Sequence, residues 1–102
     1  MENKTNASLA IQVLPQGVSG DEVIRIVDKV IEYLKNTGLP VFVGPFESTI
    51  EGDFDELCDI AKECQKIVVR EGAEGIYTYM KMAYNPTKGV WSIDKKTKKH
   101  HD

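Results

Sequence analysis

Hydrophobic positions along this chain change their spacing six times, and each change marks an element. Residues 7–14 alternate, with Leu9, Ile11 and Val13 on one side and Ser8, Ala10, Gln12 and Leu14 on the other, a strand covered on both faces. Pro15-Gln16-Gly17 ends it. Ser19 stands three residues before Glu22 as a capping box, and Val23, Ile24, Ile26, Val27, Val30, Ile31 and Leu34 recur at helical spacing. This helix stops at Asn36-Thr37-Gly38, with Pro40 just beyond.

Residues 39–43 form a second strand, broken by Gly44-Pro45 because proline has no N–H for a ladder. The third strand begins at Phe46. Period-two spacing places Glu47, Thr49 and Glu51 on one face and Phe46, Ser48 and Ile50 on the other. Asp53 then reads as an N-cap, with Glu56 three residues on completing a second capping box. A core stripe of Phe54, Leu57, Cys58, Ala61, Cys64, Ile67 and Val68 follows, and this helix ends near Gly72. Residues 75–82 form a strand, residues 85–89 a turn, and residues 90–93 a last short strand. No internal repeat or linker interrupts the order.

The order β-α-β-β-α-β specifies an α+β fold: a ferredoxin-like sandwich, with an antiparallel four-stranded sheet, two helices on one face and an extra C-terminal strand. It is expected to form a single domain over residues 1–102, with its core at about 7–83 and a basic tail at 95–102. The sheet face without helices is too apolar for water, so a homodimer or homotetramer packed sheet to sheet is expected.

Composition narrows the function. With 41% apolar and 28% charged residues the chain is neither disordered nor a membrane protein. The first residues lack a signal-peptide pattern, which places the protein in the cytoplasm. Residues 95–102 hold four Lys and one Asp, so the net charge of −3 leaves about −6 on the rest. That acidic body disfavours nucleic acid and suits a compact cation. Cys58 and Cys64 point away from each other on one helix and read as core residues.

Catalysis finds little support. Both histidines lie in the tail, no phosphate loop is present, and Glu47 and Glu51 on one strand stand about 13 Å apart. No catalytic residue, metal ligand or cofactor is therefore expected. The crowd of hydrogen-bonding side chains in residues 47–51 instead predicts a polar notch at the rim of an apolar sheet. Glu47, Ser48, Thr49 and Glu51, backed by Phe46 and Gln12, would meet a cation or an aminated heterocycle there. Because Ser48 and Glu51 alternate in a regular strand, sharing one site requires the strand to end before Glu51. The alternative is a regulatory or oligomerisation module whose sheet face binds only a protein partner; an oxygenase of the same fold is the least favoured reading.

Several segments carry a family likeness. Leu14-Pro15, the helix end Ile31-Glu32-Tyr33-Leu34-Lys35-Asn36-Thr37-Gly38-Leu39, the run Val43-Gly44-Pro45-Phe46-Glu47-Ser48-Thr49-Ile50-Glu51-Gly52 and the strand around Met80-Lys81-Met82 resemble the small thiamine-binding protein family, related to YkoF-type binders. The resemblance implies dimers or tetramers, no catalysis, and thiamine or its hydroxymethylpyrimidine part as bound ligand. From its Ser/Thr-x-x-Glu-Gly motif it implies Ser48 and Glu51 as ligand contacts. Two departures stand out: Pro45-Phe46-Glu47-Ser48 replaces the family's Pro-Met-Gly-Thr, and Met80-Lys81-Met82-Ala83 lacks the acidic end of its Ile-Lys-Ile-Asp.

Overall fold

The computed structural model describes residues 5–91. Strand β1 (Ala7–Gln16) buries Leu9, Ile11 and Val13 beneath the helices, as the alternation requires. Helix α1 (Gly20–Lys35) follows, then the short strand β2 (Val41–Val43), strand β3 (Ser48–Gly52), helix α2 (Phe54–Arg70) and strand β4 (Gly75–Tyr84). The strands pair antiparallel in the order β2-β3-β1-β4. Both helices cover one face, and the core is built from Leu9, Ile11, Ile26, Val30, Leu34, Ile50, Leu57, Cys64 and Val68. This is the ferredoxin-like sandwich.

Local chemistry explains the joints. Asp53 accepts hydrogen bonds from the backbone N–H of Asp55 and Glu56, while Asn6 Oδ1 accepts from Phe54 N at 2.9 Å. Two side chains thus satisfy three of the donors that open α2. The ring of Phe54 stacks on Tyr84 at 4.3 Å, tying the same corner to the end of β4. Gly38 closes α1 with φ of 83°, a conformation that only glycine adopts without strain.

Several expectations are corrected. Ser19 caps α1 by position but makes no side-chain hydrogen bond, and the Glu22 carboxylate, which a capping box would turn back to the Ser19 N–H, pairs instead with Arg25, which also reaches Glu71 at 2.8 Å. Ile24 is exposed, because two residues from Ile26 it lies about 200° around the helix, on the side opposite the stripe of Ile26, Val30 and Leu34. Cys58 is exposed as well, and Ile60 takes the core position the stripe had assigned to it. Residues 44–47 are a hairpin turn, closed by Gly44 N donating to Glu47 O at 2.9 Å. The third strand therefore begins at Ser48, two residues later than expected.

At the other end β4 runs to Tyr84, beyond the predicted Met82. The turn after it forms as expected, with Asn85 Oδ1 accepting from Thr87 N and Lys88 N. Val90 and Trp91 are not in a strand, since Val90 N bonds to Thr5 O outside any ladder. The rest of the expected terminal strand, Ser92 and Ile93, and the basic tail lie outside the described residues.

Candidate functional site

The site follows from unequal strand lengths. Strand β1 has ten residues and β3 five, so the pairing of β1 with β3 stops at Ile11↔Ser48. Beyond that point Gln12 to Gln16 keep β4 on one side, and the turn at residues 44–47 fills in on the other. The substitution is incomplete. It leaves a cleft of about 240 Å³ walled by Val23, Val27 and Ile31 of α1 and by Gln12, Phe46, Glu47 and Ser48. A second concavity, about 360 Å³, lies outside the same turn between Phe42, Pro45, Phe46, Glu47 and Thr49.

A third lies on the sheet face that has no helices. Register places Lys81, Ala10, Thr49 and Phe42 in one row across all four strands, so they share that face. The row below it holds Ala83, Ser8 and Glu51. Small residues in the middle of both rows leave a trough of about 300 Å³, floored by Ser8, Ala10 and Ala83 and edged by Glu47, Thr49 and Lys81. Glu47 lines all three concavities. Its Oε2 stands 3.8 Å from Lys81 Nζ, an ion pair that crosses β1 over the methyl of Ala10.

Of the six residues expected at the site, Phe46 and Glu47 sit on the turn, with Phe46 79% exposed at its tip. Thr49 shares two of the concavities with Glu47, while Gln12 and Ser48 border the cleft on the α1 side. Glu51 is placed differently. It pairs with Ser8 on the helix-free face, is only 7% exposed, and borders none of these three concavities. The strand does not end before it: β3 is continuous to Gly52, with unbroken register from Ala7↔Gly52 to Ile11↔Ser48. Ser48 and Glu51 consequently point to opposite faces, and the expected early strand end is corrected.

Lys81, Ala10 and Phe42 were not foreseen as neighbours of this site. Alternation puts Lys81 on one face with Tyr77 and Tyr79, but only the register between strands sets it opposite Glu47. Electrostatically, this ion pair lies at the trough's edge and the buried Glu51 in the adjacent row. Burial acts most strongly elsewhere, pushing the Cys64 thiol in the α2 core up to about 12. Among the described residues no group of three or more His, Cys, Asp or Glu is arranged to hold a metal ion. Among the same residues no helix is long and apolar enough to cross a membrane.

Known proteins resemble this chain in sequence and overall structure. The family model described as thiamine-binding protein matches residues 9–101. The UPF0045 protein CPE1503 of Clostridium perfringens is 39% identical over 93 residues, 91% of this chain and 95% of its own. Among solved structures, a Bacillus cereus domain of unknown function, DUF77, superposes with a TM-score of 0.85 at 37% identity, covering 97% of this chain and 93% of its own. A Thermotoga maritima protein, described as a candidate for thiamine biosynthesis or salvage, superposes with a TM-score of 0.82 at 26% identity, over 94% and 99% of the two chains. With a model match over most of its length and a relative at this identity, the chain belongs to the thiamine-binding protein family.

Proposed function

We propose that the protein is a non-enzymatic cytoplasmic binder of thiamine or of its hydroxymethylpyrimidine portion, working as a homodimer or homotetramer. The observation that carries this reading is Glu47, a carboxylate common to three concavities and adjacent to the exposed ring of Phe46. Thiamine has a permanent cation and an aminopyrimidine. A carboxylate attracts the first and accepts from the amine of the second, and an aromatic face stacks on either ring. In this reading Thr49 adds a hydroxyl beside Glu47, and Gln12 and Ser48 bound the far side of the turn. Glu51 lies in the adjacent row of the same face, behind Ser8 at the trough's floor.

Membership in a family of binding proteins supports the absence of catalysis in this proposal. Assembly is supported by the aromatic side chains that β4 leaves in water on the helix-free face: Tyr77 and Tyr79, which share that face with Lys81, are each more than 60% exposed on an edge strand. A second sheet laid over this face would roof the trough. The two cysteines are free thiols, as suits a reducing compartment.

Calorimetric titration with thiamine and with hydroxymethylpyrimidine tests the reading. Binding tighter than about millimolar is expected for at least one, and Glu47→Gln should weaken it by about 1–3 kcal/mol. An absence of heat for both ligands sinks the proposal. Sedimentation equilibrium tests the assembly separately, and a monomer at all concentrations would remove it.

A further inference from the structure

The ion pair between Lys81 and Glu47 poses a problem for a ligand that brings only positive charge. Lys81 Nζ stands 3.8 Å from the carboxylate that such a ligand would seek. A bare cation arriving at Glu47 exchanges one ion partner for another and leaves the ammonium without its own. In water that exchange gains little, and under a second sheet the abandoned charge is costly. A ligand with an anionic group beside its cation avoids the loss, because it satisfies both side chains together.

The trough has the shape for this. Ala10 separates Lys81 from Thr49 in one cross-strand row, so an ammonium with three donors and a hydroxyl face each other over a methyl floor. Glu47 closes the third side. Lys81 is 79% exposed and can swing from Glu47 toward an incoming anion without disturbing the core. We infer that the trough over Ala10 is a phosphate subsite, in which Lys81 and Thr49 take a phosphate ester while Glu47 takes the cation of the same ligand. The protein then selects the phosphorylated form over the free alcohol. This inference rests on the thiamine reading above and makes Lys81 a specificity-determining residue.

Titrating wild type, Lys81→Met and Lys81→Arg with thiamine and with thiamine monophosphate tests it. In wild type the monophosphate should bind about tenfold or more tightly than thiamine, the worth of one charge-assisted contact. Lys81→Met should erase that preference while holding or improving thiamine affinity, and Lys81→Arg should keep it. Because the side chain is exposed, thermal unfolding of both variants should match wild type, separating a binding effect from misfolding. Equal affinity of wild type for the two ligands, or a preference that survives in Lys81→Met, overturns the subsite and leaves thiamine binding standing. If neither ligand binds, the thiamine reading falls and the subsite with it.

Discussion

Removing the Asp53 carboxylate tests whether the end of β3 is anchored as the structure describes. Asp53 Oδ2 accepts from Asp55 N at 3.1 Å and from Glu56 N at 3.3 Å, and Asn6 Nδ2 donates to Oδ1 at 3.4 Å. In Asp53→Ala the two backbone donors lose their acceptor, although Phe54 N keeps its bond to Asn6 Oδ1. A lost N-cap of this type costs about 1–2 kcal/mol, and the lost negative charge at the helix start adds up to about 1 kcal/mol. For a domain of about 100 residues each kcal/mol lowers Tm by about 4–8 °C. The expected drop is therefore about 4–24 °C, read by circular dichroism at a fixed protein concentration. Asp53→Asn keeps an oxygen acceptor and should lose only the charge component. Combining Asp53→Ala with Asn6→Ala should cost more or less than the sum of the single changes by about 0.5 kcal/mol or more, because the two side chains share one cap. The reasoning fails if Asp53→Ala melts with wild type, or if Ala and Asn variants are indistinguishable.

Gly44→Ala should loosen the site from its turn: a Cβ there would lie 3.0 Å from the carbonyl oxygen of Glu47, which accepts the Gly44 N–H that closes the hairpin. We expect a destabilisation of about 1 kcal/mol and weaker ligand binding, both measurable by thermal shift with and without thiamine. The Cys64 thiol predicts an alkaline limit. Its folded pKa is raised by burial to about 12 from 9.0, so the unfolded chain releases the proton first, and stability is intact below pH 9 and falls between there and 12. Cys64→Val should flatten that fall by about 1.4 kcal/mol per pH unit in urea titrations at high pH, and an unchanged slope would refute the assignment.

The helices and the fold class were readable because their signals are local. A seventeen-residue helix with an aspartate cap and a 3.6-residue stripe needs no partner to be recognised, and Asp53 caps α2 as its spacing implies. Errors arose where a local signal had two solutions. Ser19 satisfies a capping-box pattern, yet Glu22 gains more from Arg25, whose second partner Glu71 lies 46 residues away. Cys58 and Ile60 flank the same stripe, and the direction from which the sheet approaches decides which one is buried. The site was half legible. Glu47, Phe46 and Thr49 stand out as polar and aromatic residues around a proline turn, whereas Lys81 enters only through the pairing of β1 with β4.

What the sequence by itself determined is the order of the first four strands and the two helices and the Asp53 cap of α2, because periodicity, glycine and proline act within a few residues. It also determined that Ser48 and Glu51 alternate; the continuous strand to Gly52 then put them on opposite faces. Only the tertiary structure decided what faces what. That β1 outruns β3, that the turn at residues 44–47 covers the gap, and that Lys81 meets Glu47 over Ala10 are facts of register. Register is set by the burial of Leu9, Ile11 and Ile50 together under two helices, a sum over distant contacts that no window of the chain contains.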